Sequence, residues 1–569
     1  MTRLDEFTRR PRIAYFSMEI ALRNEIPTYS GGLGVLAGDT LRAGADLELP
    51  LVAVTLVSRR GYFRQEIDAE GRQIEHPDPW DPGRWAQALP AKVAVPVAGQ
   101  PVWVQAWLYV LEGSTGYPIP VILLDTDLAD NAPADREITH YLYGGDAEYR
   151  LKQEMVLGIG GTRMLRALGF EVHTCHMNEG HSALLALELL RRFEGAKGGS
   201  RLECLYDVNR VRELCLFTTH TPVEAGHDQF PYELVERVMG DYFDIDQLKL
   251  LAGHERLNLT RLALSLSGYV NGVAKRHAEV SAQMFAGYRI HAITNGVHPQ
   301  LWTCESVARL YDAWLPEWRH EPEILVRADA IPEAAILSAH QEARRALTGR
   351  VRDLTGVELD PDLPIIGFAR RMTGYKRPDL LFTNPERLAA IARRQPFQVV
   401  LAGKAHPRDD SGRQAIQAIH RHSRALADVL KIVFLPNYDL DLALAMVSGA
   451  DLWLNTPQPP LEASGTSGMK AALNGVINLS TLDGWWLEGC IEGVTGWAIG
   501  GTGSLAETAA TDDGDAAALY DKLEHTVLPL YYNDRGGWVR VMKGAISKNA
   551  YYFNSLRMMR RYATEAYIR

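Results

Sequence analysis

The sequence predicts an α/β protein with two parallel-sheet domains and a helical C-terminal segment. Three observations carry this. Short apolar runs alternate with longer helical patterns, the alternation breaks once near the middle, and the stretch from 516 onward is helical without a strand pattern. The runs at 12–17, 51–57, 121–124, 214–218, 365–369, 399–402, 432–435 and 452–454 are β-branched or aromatic-rich. They end at Gly, Pro, Asn or charged residues, as buried parallel strands do. Helical patterns such as 148–168 and 182–192 lie between them. Residues 305–357 read as helical, charged and strand-free, closing in LTGVELDPDLP before a new strand series opens at 365. The expected division is therefore 1–300 and 301–535, with 536–569 as a C-terminal helix packing back on the first domain. In open parallel sheets, ligands bind outside the carboxyl ends of the strands.

Composition narrows the function. Sixty Lys and Arg against seventy Asp and Glu give a net charge of −10, and 46% of residues are hydrophobic. That apolar content supports a folded core rather than disorder. The acidic balance argues against a nucleic-acid binder, which needs a basic stripe. The five cysteines (Cys175, Cys204, Cys215, Cys304 and Cys490) are scattered and odd in number, which fits a reducing compartment. The start, MTRLDEFTRRP, is polar, and the apolar runs are strand-length. A cytoplasmic protein without a membrane span is expected.

Four segments suit ligand chemistry. Ser30-Gly31-Gly32-Leu33-Gly34 follows the first strand, and glycines opening a helix let the backbone approach an anion. A tight packing turn explains them equally. The second glycine group, Gly158 to Gly161, sits inside a helical pattern and reads as a helix-packing face. Arg370, Arg371, Lys376 and Arg377 put four cations directly after the strand 365–369, which favours an anion site over a solvated loop. In EASGTSGMKAALNG, a Gly/Ser/Thr turn leads into an apolar helix start carrying Lys470. Burial would lower that lysine's pKa and make it a Schiff-base candidate, whereas an amine reaching water would be plain structure. The segments TTHTP (with His220) and TNGVHPQLW (with Asn295 and Trp302) end strand-like runs with side chains suited to sugar hydroxyls. A core histidine and a packing tryptophan are the plainer alternatives. In HTCHMNEGH, the ligand types around His173, Cys175, His176, Glu179 and His181 suit zinc. Their spacing does not, and a loop turning into a helix accounts for them.

Taken in order, YSGGLG, TTHTP, TNGVHPQLW, RRMTGYKR and EASGTSGMKAALNG resemble the α-glucan phosphorylases, in a short bacterial and archaeal form. The resemblance covers most of the chain and implies two Rossmann-like domains facing across a cleft, the GT-B arrangement. It implies pyridoxal 5′-phosphate linked to Lys470, with Gly465, Thr466, Ser467, Gly31, Gly32, Arg370 and Trp302 around the cofactor. It implies Arg371 and Lys376 on the substrate phosphate, Glu462 on glucosyl hydroxyls, and His220 and Asn295 around the glucosyl 6-hydroxyl. The implied reaction is phosphorolysis of terminal α-1,4 bonds of glycogen or maltodextrin. It gives α-glucose 1-phosphate with retention, using the cofactor's phosphate as proton relay. The implied partners are inorganic phosphate and the glucan, with no nucleic acid and no membrane, in a family whose members often form homodimers. Two departures stand out: Ser467-Gly468 precede Met469-Lys470 where the family usually has Asn, and Thr373-Gly374 precede Tyr375-Lys376 where it usually has His-Glu. The same fold also carries nucleotide-sugar glucosyltransferases of the glycogen-synthase type, which have a second acid eight residues after the first. Here that position is Lys470. A non-catalytic glucan-binding protein on this fold is the remaining alternative.

Overall fold

The computed structural model describes residues 7, 8, 10, 12–193, 206–501 and 511–568; Cys204 and most of the N-terminal segment lie outside them. Strands in chain order are β1 (Ile13–Ser17), β2 (Leu51–Leu56), β3 (Arg64–Ile67), β4 (Gln73–His76), β5 (Gln87–Val97), β6 (Gln100–Glu112) and β7 (Pro118–Asp125). There follow β8 (Thr174–Asn178), β9 (Cys215–Thr218), β10 (Gln229–Pro231), β11 (Arg256–Asn258), β12 (Tyr269–Gly272) and β13 (His291–Ala292). After a helical stretch come β14 (Ile365–Ala369), β15 (Gln398–Ala402), β16 (Lys431–Leu435), β17 (Leu452–Asn455), β18 (Ile477–Thr481) and β19 (Gly496–Ile499).

They form two large sheets. The first runs β13-β12-β9-β8-β1-β2-β7-β6-β5, the second β16-β15-β14-β17-β18-β19. The second is parallel throughout. Strands β1, β2, β9, β14 and β15 are buried along their whole length, as sheets covered on both faces require.

Between the sheets, the stretch from Glu305 is helical and strand-free. Its long helix Glu333–Thr355 stops at Gly356, whose φ of 72° is the left-handed cap that glycine adopts freely. Gly158 packs as a helix face: a Cβ there would lie 2.6 Å from the Leu185 backbone nitrogen. In the C-terminal stretch, Leu519, Trp538, Met542 and Phe553 join the cluster beside the second sheet. Leu556, Met559 and Tyr562 pack with Ile13, Tyr15 and Leu41 of the first.

Two features differ from expectation. The first sheet is not wholly parallel: β7 pairs parallel to β2 but antiparallel to β6, and β5–β6 form a hairpin. Its turn, Ala98-Gly99, has φ of 49° and 74°, the signature of the tight hairpin turn matched to strand twist. The HTCHMNEGH segment is a central strand, β8, before it turns into helix. Two of its polar side chains are satisfied across the sheet: His176 bonds Tyr567 and Thr218, and Asn178 donates to Ser17 Oγ at 3.0 Å. Glu179 accepts from the backbone N–H of Gly180 and of His220.

Candidate active site

The singled-out segments sit beyond the carboxyl ends of parallel strands. After β1, a loop leads to the helix Gly32–Asp46, whose N-cap, Gly31, offers no side chain. The backbone donors at this start are partly taken. Glu19 Oε2 accepts from Ser30 N (2.6 Å) and Gly31 N (3.2 Å), while Oε1 accepts from the Tyr143 hydroxyl (2.9 Å). A carboxylate at a helix N-terminus is favourable. A Cβ on Gly31 or Gly32 would meet nothing within 4 Å, so open space borders this backbone.

The same helix carries a buried acid further on. Asp39 is 1% exposed, and both its oxygens accept from Trp302 Nε1, at 3.0 and 2.9 Å. The amine of Lys470, on the helix Ser467–Leu473, lies 3.8 Å from the centroid of the Trp302 ring. Asn474 Nδ2 donates to the carbonyls of both Trp302 (2.7 Å) and Lys470 (3.0 Å), tying the indole to the lysine's helix. Lys470 is 7% exposed. Burial lowers its pKa to about 8, partly opposed by the charge of Asp39. Burial in turn raises Asp39, against the pull of Lys470, His298 and Arg42. The amine therefore does not run out to water.

The cationic loop after β14 divides three ways. Arg370 donates to Glu462 Oε2 at 2.6 Å, and Lys376 Nζ bonds the same oxygen. Burial acts to raise the Glu462 pKa, but Arg370 and Lys376 outweigh it and hold it at about 2. Arg371 is exposed and makes no ion pair among the described residues. Arg377 departs from the expected anion cluster: it turns inward to the carbonyls of Thr456 and Pro457 and to Asp512 and Asp515. Those four acceptors satisfy its guanidinium as a structural clamp. Behind Glu462, Asp483 accepts from the Glu462 backbone N–H at 2.8 Å, and burial with the nearby Glu462 charge pushes its pKa up to about 7.

His220 and Asn295 come from the first sheet, and neither bonds Glu462 or Lys470. His220 Nε2 meets Asn178 Oδ1 at 2.6 Å, and burial, reinforced by His277, His176 and His181, holds the ring well below its usual pKa, hence neutral. Asn295 Oδ1 is buried with no protein partner, as are Thr219 Oγ1 and Ser464 Oγ. Buried polar atoms are normally paired with protein, water or ligand, so these three are available to a ligand's polar groups. The Ser467 hydroxyl accepts from Trp453 Nε1 at 3.1 Å and faces Asn455. Gly465 has a φ of 82°, and Thr466 is the N-cap of the lysine helix, with no side-chain capping bond. Sequence reasoning missed Glu19, Asp39, Ser464 and Asp483. Asp39 alone carried a signal, a lone acid in the apolar run VLAGDTL.

The profile of the carbohydrate phosphorylase family matches residues 162–492. The chain is 38% identical to a maltodextrin phosphorylase of Thermococcus litoralis, over 98% of this chain and 70% of that one. It is 36% identical to a glycogen phosphorylase of Aquifex aeolicus, over 99% of this chain and 87% of that one. A glycogen phosphorylase of Mycobacterium tuberculosis is 37% identical, over 98% and 70% respectively. The chain belongs to the carbohydrate phosphorylase family.

Phosphorylases of this family use pyridoxal phosphate, and the residues present fit that group. The dry Lys470 amine suits an aldehyde, and two buried nitrogens of Arg370, Nε and Nη1, have no partner and suit a phosphate. The open space beside Gly31 and Gly32 leaves room for it. The Arg371 guanidinium is exposed, meets the Tyr375 side chain and makes no ion pair among the described residues. With Arg371 on the substrate phosphate, as the resemblance implies, Arg371→Ala is expected to raise KM for phosphate at least about tenfold, the scale of one charge-assisted contact. The thermal midpoint should be nearly unchanged, because an exposed cation without an ion pair adds little stability. Initial-rate kinetics with a melting curve check both.

Proposed function

We propose that this phosphorylase cleaves terminal α-1,4-glucosidic bonds of glycogen or maltodextrin with inorganic phosphate. The product is α-glucose 1-phosphate, formed with retention, in a cleft between two Rossmann-like domains. The observation that carries this reading is the buried Lys470 amine against Trp302, in a chain whose Arg370 also keeps two buried, unpartnered donors. Phosphorolysis brings two phosphate groups together, and these dianions need cations around them. Arg370, with Lys470 and the 465–467 turn, would hold the cofactor, while Arg371 and Lys376 would hold the substrate phosphate. Bound pyridoxal phosphate would supply a phosphate group able to hold and exchange a proton. Glu462, Ser464, His220 and Asn295 would orient the glucosyl hydroxyls, with neutral His220 acting as a hydrogen-bond partner rather than a charge. Fixed cations and oriented hydroxyls lower the barrier by positioning and charge stabilisation.

Relatives named as maltodextrin and glycogen phosphorylases support the glucan as substrate. Among the described residues no helix is long and apolar enough to cross a membrane. The test is direct. The purified protein is expected to show near-ultraviolet absorbance from the cofactor and to release glucose 1-phosphate from maltodextrin only when phosphate is added. Transfer from ADP-glucose or UDP-glucose would support the synthase reading instead, and a cofactor-free protein that binds glucan would support a binding module.

A further inference from the structure

We propose that Arg557, in the C-terminal segment, is a positioning residue for the turn that presents Asn295. This rests on the reading of Asn295 as a sugar-binding residue. The helix Ser555–Arg561 is capped by Asn554, whose side chain accepts from the Arg557 backbone N–H. From that helix the Arg557 guanidinium reaches across to the first sheet's loops. Nη1 donates to the Thr294 carbonyl at 2.8 Å and Nη2 to the Asn295 carbonyl at 2.9 Å. Nε donates to the Tyr552 carbonyl at 2.8 Å, and the group lies 4.6 Å from the Tyr552 ring centroid. Arg557 makes no ion pair among the described residues. All three of its nitrogens are spent on main-chain carbonyls, two of them in the 294–297 turn.

The rest of that turn is tied to the same segment. Val297 N donates to Phe553 O (3.0 Å) and Ser555 N donates to Val297 O (2.9 Å). A Cβ on Gly296 would lie 2.1 Å from Asn554 O, so only glycine permits this approach. Thr294 Oγ1 donates to Glu488 at 2.9 Å, and Asn295 N to Val273 O at 3.0 Å. The backbone of the turn is thus held on both sides, whereas the Asn295 amide oxygen is buried and unpartnered. A planar donor fork fixes two successive carbonyls at once; a lysine ammonium cannot reproduce that geometry. Arg557 therefore sets the direction of the Asn295 side chain, and through it the fit of the sugar.

The test uses the holoenzyme with Arg557→Lys and Arg557→Ala. Misplacing a substrate-binding group by about 1 Å loses on the order of 100-fold in rate. Arg557→Lys is expected to lower kcat/KM for maltodextrin by about 10- to 100-fold, with KM for phosphate within about twofold of wild type and cofactor absorbance retained. Added guanidinium ion is expected to restore part of the Arg557→Ala loss. Both variants keeping kcat/KM for maltodextrin within about twofold would overturn the proposal. So would an equal loss toward both substrates that follows the melting temperature and is not rescued. A wild-type protein without phosphorolysis would overturn the proposed function separately. In that case calorimetric affinity for maltodextrin decides on Arg557, a tenfold weakening in Arg557→Lys supporting its role and unchanged affinity ending it.

Discussion

Lys470→Ala is expected to abolish the near-ultraviolet cofactor band and to reduce phosphorolysis by about 1,000-fold or more, about 4 kcal/mol of barrier. The argument starts from the amine's surroundings. Held 3.8 Å from the Trp302 centroid and 7% exposed, it has a pKa of about 8. At pH 8 about half of it is neutral and nucleophilic, against about 0.3% of an ordinary lysine. Uptake of pyridoxal phosphate by the apoprotein should accordingly slow as pH falls below about 8. The charge of Asp39 opposes the lowering, so Asp39→Asn should move that midpoint further down. The sign for stability is the reverse of a favourable ion pair. The unfolded chain binds the lysine proton up to a higher pH than the fold does, so apoprotein stability rises between about pH 8 and the ordinary lysine value. Lys470→Arg keeps the cation but lacks the nucleophile and should also show no band. Full cofactor content in Lys470→Ala, measured by absorbance, would remove Lys470 from the site.

Lys470 stood out in the sequence as a lone cation in an apolar helix start, but buried and water-reaching amines were equally open until the structure placed it at 7% exposure. Runs such as IAYFS and IIGFA were readable, since strands covered on both faces are apolar throughout. The hairpin β5–β6 was not readable. Its outer face meets solvent, and Pro90, Pro96 and Pro101 interrupt the alternation. Strand β8 was hidden for the opposite reason. Its His and Asn side chains are buried but satisfied by groups more than forty residues away in sequence. Spacing in sequence also placed Arg377 with the other cations, although its fork is consumed by carbonyls and acids behind the loop. The pairing of Arg370 and Lys376 on Glu462 spans about ninety residues, and no local pattern encodes it.

That pairing makes Glu462 the residue whose loss reaches furthest. One carboxylate oxygen carries both Arg370 and Lys376, with all three side chains 8–9% exposed. Glu462→Gln keeps the shape but leaves two buried cations without an anion, and breaking such a pair costs about 3–5 kcal/mol. The variant's thermal midpoint should fall clearly at pH 7, and inorganic phosphate should raise it more than it raises the wild type. The added anion takes the carboxylate's place among the cations and stabilises the folded state by mass action. The pH dependence follows from a folded pKa of about 2 against an ordinary glutamate value of 4.5. The depressed carboxylate contributes about 3 kcal/mol that is fully present above pH 4.5 and lost as pH falls toward 2. Wild type should therefore lose this increment in acid, whereas Glu462→Gln, which never had it, should show a flatter acid limb. Phosphorolysis should drop by about 1,000-fold in the same variant, because on the proposed reading a contact to the glucosyl hydroxyls goes with the charge. Calorimetric melting with and without phosphate, from pH 7 down to pH 3, separates the effects. If Glu462→Gln melted like wild type and gained no more from phosphate, Arg370 and Lys376 would be neutralised by something other than Glu462, and the site's charge balance would have to be redrawn.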